Sequence, residues 1–202
     1  FNVYNALAAA CVGLALEATP EAIAAGLAAM PGVTGRMQRI DEGQPFGVIV
    51  DYAHTPEAFE TVMGLLRPVV AGRMIAVFGS AGERDREKRP MQGESAARYC
   101  EFLVITDEDP RLEDREAILR EIAAGAERLG KKEGTDFILI ADRRAAIRAA
   151  FEAARPGDMV LLLGKGHEGC IFYADHALPW DEAAVAHEVL REMGYERCSD
   201  RP

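Results

Sequence analysis

The feature that most limits what this chain can fold into is an alternation that begins after residue 45. Short apolar, β-branched runs at residues 46–50, 74–78, 102–105, 137–140 and 159–163 are separated by stretches of helical periodicity near residues 57–66, 91–100, 113–127 and 142–154. A last helical pattern covers about residues 181–193. The apolar runs are too short to be helices and apolar along their whole length, which reads as strands buried on both faces. Strands joined through helices run parallel, so an α/β fold is expected, a mostly parallel sheet with helices on both faces and right-handed crossovers.

Residues 1–30 do not share this pattern. They read as two alanine-rich helices broken at Thr19 and Pro20, where Thr19 can cap and Pro20 can open the second. The first helix is apolar almost all round and needs neighbours on several sides, which suggests the tail of a larger domain. A start at Phe1 instead of methionine agrees with truncation. The glycine-containing connection "PGVTGRM", residues 31–37, marks the expected boundary, giving domains 1–30 and 31–202.

Composition narrows the partners. With 202 residues, 49% of them hydrophobic, the chain can build a substantial core. A formal net charge of -10 argues against a nucleic acid or an anionic membrane as partner, although local arginines can still bind small anions. Cys11, Cys100, Cys170 and Cys198 are scattered without metal-ligand spacing and read as thiols of a reducing cytoplasm. The apolar run 3–16 lacks a preceding basic segment and is too short to span a bilayer, so it reads as a packed helix, with no membrane insertion expected.

The unusual polar residues gather where strands end. "VDYAHTPEAFE", residues 50–60, passes from a strand through Asp51, Tyr52, His54 and Thr55 to Pro56, which suits the first turn of a helix. In open parallel sheets that edge is where ligands bind. "GSAGERDREKRP", residues 79–90, crowds Arg84, Arg86, Lys88 and Arg89 beside Glu83 and Asp85; most of these read as a solvated charge run, with Arg84 set apart by lying nearest the strand end. In "TDEDPRLED", residues 106–114, Asp109 can cap a helix that Pro110 starts, but capping has no use for Arg111. A guanidinium beside carboxylates suits a zwitterion, the arginine taking a carboxylate and an acid taking an ammonium. "GKGHEG", residues 164–169, brackets Lys165 with glycines and could cradle phosphate, yet the P-loop pattern occurs nowhere. His167 alone reads as a turn residue. A hydrolase built on His54 or His167 would lack a nucleophile, since no serine sits in a G-x-S-x-G elbow.

Taken in order, "FNVYNALAAA", "GRM", "DYAHTPEAFE", "FGSAGERDREKRP", "TDEDPR" and "LLLGKGHE" resemble the Mur ligases, and within them the MurE type. The resemblance covers essentially the whole chain. It implies the end of a central ATPase domain followed by a Rossmann-like carboxy-terminal domain, in a cytoplasmic ATP-dependent amide ligase of peptidoglycan assembly. Such enzymes phosphorylate the terminal carboxyl of UDP-MurNAc-L-Ala-D-Glu with ATP and Mg²⁺, and the amino group of a diamino acid attacks the acyl phosphate. Carried over by position, Asn2 and Asn5 face the adenine side of ATP, Arg36 reaches the nucleotide, Asp51 accepts from the ribose hydroxyls and His54 supports that turn. Arg84, Asp109, Arg111, Gly164 and Glu168 fall on positions that hold the diamino acid.

The family motif for meso-diaminopimelate usually reads Asp-Asn-Pro-Arg, whereas this chain has Glu108, Asp109, Pro110 and Arg111. An ionised aspartate repels a distal carboxylate and favours a bare ammonium, as in lysine or ornithine, while Arg84 and Arg111 favour the carboxylate. The two retained arginines tip the expectation to meso-diaminopimelate. No P-loop, Mg²⁺ ligand set or candidate for the family's carbamylated lysine is present, so the chain alone is expected to be inactive, with the missing amino-terminal and central domains supplying the rest. Folylpolyglutamate and cyanophycin synthetases share the acid-x-Ala-His turn and stand as alternatives, as does a non-catalytic module that binds an amino acid or nucleotide.

Overall fold

The structure, a computed structural model, describes residues 2–196, leaving the side chain of Asn2 and all of Cys198 outside the description. Two compact units divide at Val33 and Thr34.

The first unit is a helix pair, α1 (Asn2–Ala15) and α2 (Pro20–Ala29). As expected, the Thr19 hydroxyl caps α2 by accepting from Ala22 N–H at 3.2 Å, and Pro20 fills the first helical position. Gly13 lets the helices approach, since a Cβ there would lie 2.9 Å from Ile23 Cγ1. The pair buries little: Val3, Tyr4, Leu7, Val12, Leu14 and Leu16 of this unit are all exposed.

The second unit holds the α/β fold. Its strands are β1 (Gln38–Ile40), β2 (Gly47–Asp51), β3 (Met74–Phe78), β4 (Phe102–Ile105), β5 (Phe137–Leu139) and β6 (Met159–Leu163). They form a 6-stranded sheet in the order β1-β2-β6-β3-β4-β5. All neighbours are parallel except β1, which pairs antiparallel with β2. The helices are α3 (Pro56–Leu66), α4 (Lys88–Tyr99), α5 (Arg115–Arg128), α6 (Arg143–Ala153) and α7 (Glu182–Glu192).

Period-two geometry explains the uniformly apolar strands. In β3, Met74, Ala76 and Phe78 pack with Phe59 of α3 and Ile122 of α5, while Ile75 and Val77 pack with Ile147 of α6 and Val189 of α7. Both faces are therefore covered, α3–α5 on one and α6–α7 on the other. Helices α4 and α5 meet through glycines: a Cβ on Gly93 would fall 2.0 Å from the Ile122 carbonyl oxygen. Because the chain returns from β5 to place β6 between β2 and β3, the carboxyl ends of β2, β6, β3 and β4 lie side by side at a switch point.

The sequence pattern leaves two parts unseen. Strand β1 is short and polar, and a small antiparallel hairpin, β7 (Cys170–Phe172) with β8 (Ala177–Pro179), follows the Lys165 loop. Three-residue strands carry too few alternations to register as periodic. The α5 start also differs, because Asp114 caps that helix by accepting from Glu116 N–H, so Asp109 and Pro110 do not begin it.

Candidate functional site

Four of the five loops that leave the carboxyl edge of the sheet, those after β2, β3, β4 and β6, carry the expected residues of the second unit that follow β2. After β2, the Asp51 carboxylate accepts from Ala53 N–H and Met37 N–H, each at 2.8 Å. One short side chain thereby fixes its own turn and the segment that carries Arg36. Thr55 caps α3 through Ala58 N–H and Pro56 takes the first turn, as the sequence implied. His54 Nδ1 donates to the Tyr52 carbonyl at 3.0 Å, and the His54 carbonyl accepts from Gln92 Nε2 at 2.9 Å.

Tyr52, which sequence reasoning did not single out as a site residue, is the hub of this turn. The Arg36 guanidinium lies 4.4 Å over its ring, and the rings of His54 and His167 sit at 4.8 and 5.1 Å. Its hydroxyl donates to Glu168 Oε1 at 3.2 Å. Burial and the Glu168 charge raise the Tyr52 pKa, so the phenol stays protonated. A pocket of about 300 Å³ is lined here by Arg36, Asp51, Tyr52, His54 and Thr61. The backbone closes tightly around it, since a Cβ on Gly35 would meet the Gly166 carbonyl carbon at 2.3 Å.

After β3, Arg84 is exposed and makes no hydrogen bond or ion pair among the described residues. The reading of its neighbours as a solvated run fails at Arg89, which is fully buried and pairs with Glu113 at 2.9 Å and Glu121 at 2.7 Å. A buried guanidinium needs such partners. Arg86 also pairs with Glu121, and Lys88 donates to the His54 carbonyl at 3.3 Å.

After β4, residues 106–110 are all buried. Asp107 accepts from Arg115 Nε at 2.8 Å, and burial still raises its pKa. Glu108 has one carboxylate oxygen, Oε2, covered and without a partner; burial raises its pKa too. Asp109 Oδ1 accepts from Lys165 Nζ at 2.8 Å and from Phe172 N–H at 3.0 Å. Arg111 adopts φ +54° and donates its backbone N–H to the Phe172 carbonyl at 2.9 Å, with its guanidinium 5.8 Å over that ring. Its Nε is covered and unpartnered.

After β6, Lys165 is fully buried and pairs with Asp109 at 2.8 Å and Glu168 at 2.7 Å. It is thus a bridge between acids, its ammonium engaged by two carboxylates. Gly164, at φ +100°, leaves room for Glu108, whose Oε2 would lie 3.1 Å from a Cβ there.

Two groups of expected residues therefore meet: Arg36, Asp51 and His54 around Tyr52, and Asp109, Gly164 and Glu168 around Lys165 and Glu108. Arg111 stands beside Phe172, and Arg84 stands apart on its loop. Asn5 lies exposed on α1 in the first unit, and the Asn2 side chain is outside the described residues. The signal that could have revealed Lys165 was its own loop: a lysine held between glycines after a fully apolar strand is placed against the neighbouring strand ends, where acids were already noted.

Among the described residues no group of three or more histidine, cysteine or acidic side chains is arranged to hold a metal ion. The described residues thus present no ready cluster of acidic ligands for Mg²⁺. Each Asp51 oxygen accepts one backbone N–H, and a carboxylate oxygen can accept more than one. No helix of the described residues is long and apolar enough to cross a membrane.

A parallel sheet with an antiparallel edge, whose switch point carries this arrangement of acids, arginines and glycines, agrees with the match of residues 35–166 to the family model "Mur ligase, glutamate ligase domain". The chain belongs to the Mur ligase family. It is 60% identical over 195 residues to a UDP-N-acetylmuramyl-tripeptide synthetase of Roseiflexus sp. (strain RS-1), covering 96% of this chain and 38% of that protein. It is 46% identical over 191 residues to a UDP-N-acetylmuramoyl-L-alanyl-D-glutamate--2,6-diaminopimelate ligase of Syntrophomonas wolfei, covering 95% of this chain and 38% of that one. A solved structure of a 2,6-diaminopimelate ligase of this kind superposes with TM-score 0.72 at 31% identity, over 96% of this chain and 39% of its own. The chain thus spans under two fifths of the length of these relatives.

Proposed function

We propose that this chain is the amino-acid-binding, nucleotide-closing portion of an ATP-dependent ligase that adds a diamino acid, meso-diaminopimelate, to UDP-MurNAc-L-Ala-D-Glu in the cytoplasm. On this reading residues 1–30 end the central ATPase domain and 31–202 form the carboxy-terminal domain. Arg36, Asp51 and His54 serve the nucleotide together with Asn2 and Asn5 on the adenine side. Arg84, Asp109, Arg111, Gly164 and Glu168 hold the amino acid. Mg²⁺ would be held by residues of the remainder of the enzyme, where it would neutralise charge on the phosphates.

The observation that carries the choice of amino acid is the Lys165–Asp109 pair at 2.8 Å. Asp109 replaces the usual asparagine, but its charge already faces a buried ammonium, so it repels a substrate carboxylate less than an uncompensated aspartate would. The Arg111 guanidinium has no acid partner among the described residues, nor does Arg84. A guanidinium without an acid partner is suited to take a carboxylate by two parallel bonds. What the chain's own groups do is bind and orient: they hold one end of the amino acid so that its nucleophilic amine meets the activated carboxyl.

A lysine- or ornithine-adding enzyme is the second reading. It is favoured by the sum at the Lys165 cluster, where Asp109 and Glu168 together outnumber the single ammonium. The 46% identity to a 2,6-diaminopimelate ligase supports the Mur reading over folylpolyglutamate or cyanophycin synthesis and over a non-catalytic module. Incubating the full-length ligase with ATP, Mg²⁺, UDP-MurNAc-dipeptide and each amino acid in turn tests both. Formation of the meso-diaminopimelate tripeptide is expected; product from lysine or ornithine alone would replace the first reading by the second, and no product from any would refute both.

A further inference from the structure

Beneath the Lys165 cluster lies a second buried network that the expected site does not include. Arg143, the first residue of α6, is buried to zero side-chain exposure and pairs with Glu182 of α7, equally buried, at 2.7 Å. Its Nη1 donates to the Asp107 carbonyl at 2.9 Å and its Nη2 to the Leu163 carbonyl at 2.7 Å. Asp107 and Leu163 are the residues just before Glu108–Asp109 and Gly164–Lys165. Glu182 also accepts from Trp180 Nε1 at 2.5 Å, and Trp180 N–H donates to the Gly169 carbonyl at 2.9 Å, at the far end of the Lys165 loop.

We propose that Arg143 is a positioning residue that sets the spacing between the Asp109 loop and the Lys165 loop. This inference rests on the reading of those loops as the amino-acid site. A guanidinium can bridge a carbonyl at the end of β6 and one just past β4, the two strands that flank β3, while a carboxylate orients it from behind; a lysine ammonium, a point donor on a flexible stem, cannot hold all three in one plane. The Asp109–Lys165 contact at 2.8 Å depends on how far apart those strand ends sit. The nucleotide-side turn is fixed differently, because Asp51 is held by the N–H groups of Met37 and Ala53. Loss of Arg143 therefore loosens one half of the site and spares the other.

The test uses the full-length ligase with Arg143→Lys and the double variant Arg143→Met/Glu182→Leu. The double variant removes both charges together, an exchange that buried pairs often tolerate. Hydrogen exchange in segments 106–112 and 163–170 is expected to quicken about tenfold or more, with segments 35–41 and 50–54 within about twofold of wild type. In the same proteins KM for the diamino acid is expected to rise about tenfold, with KM for ATP within about twofold. Wild-type exchange in both loops, or looser loops with an unchanged amino-acid KM, overturns the proposal. So does an equal loss of protection in all four segments, which would make Arg143 a general structural residue. A wild-type enzyme that adds no diamino acid refutes the functional reading instead, and the exchange pattern still decides the clamp.

Discussion

Asp51 and Asp109 are both buried aspartates at strand ends, yet they are held in opposite ways. Asp51 accepts only backbone N–H groups, one of them two residues away. Asp109 accepts from an ammonium 56 residues distant in sequence and from an N–H on a separate hairpin. The first is a local device, a side chain shaping its own turn. The second is a tertiary one, whose charge balance exists only when β4, β6 and the β7–β8 hairpin are assembled. A turn of the first kind can be rigid while the rest of the edge is perturbed; the second fails whenever any of its elements moves.

Substitutions at the two acids and their partners separate these cases, and the largest effect belongs to Lys165. Lys165→Met leaves Asp109 buried without its cation, so unfolding free energy measured in urea is expected to fall by about 3–5 kcal/mol. A loss under 1 kcal/mol would mean that the ammonium contributes little to Asp109. Asp51→Ala removes two backbone bonds in one turn and is expected to cost about 1–3 kcal/mol, with faster amide exchange confined to the residues around Met37 and Ala53. Exchange that spread into the Asp109 loop would erase the distinction between local and tertiary support.

Acid titration gives an intermediate effect whose sign differs between two glutamates. Arg89 holds Glu113 down to about 2, so its contribution is present above the ordinary glutamate range and is lost as pH falls through that value. Burial raises Glu108, so its contribution is present below the ordinary value and is lost as pH rises through the elevated pKa. Urea midpoints collected against pH should therefore fall less steeply on the acid side in Glu113→Gln, while Glu108→Gln should soften a decline on the neutral side. The smallest expected effect is Tyr52→Phe, which loses one hydroxyl bond to the half-buried Glu168 and should cost about 0.5–1.5 kcal/mol.

The same contrast explains what was legible in the sequence. Strands buried on both faces announce themselves as apolar runs, and Thr55-Pro56 states its own cap and helix start, so the sheet and the Asp51 turn could be read directly. Strand β1 and the β7–β8 hairpin could not, because β1 is polar and the two hairpin strands are three residues each with no helix between them, so their pairing owes more to neighbours than to pattern. Asp109 was read as a possible cap because an aspartate before a proline has that local use; its true partner, Lys165, is invisible until β4 and β6 are known to lie close in the sheet. Arg89 sits in a charged stretch that reads as solvated and Arg143 in a helical pattern given no site role, and only the fold shows them buried against Glu113 and Glu182.

The most direct measurement is the ratio of kcat/KM for meso-diaminopimelate to that for L-lysine in the full-length ligase, compared between wild type and Asp109→Asn. If Lys165 already balances Asp109, the ratio favours meso-diaminopimelate in both proteins and changes by no more than about threefold. A wild type that favours lysine, with a ratio that swings about tenfold or more toward meso-diaminopimelate in Asp109→Asn, would show that the aspartate acts on the substrate as an uncompensated charge.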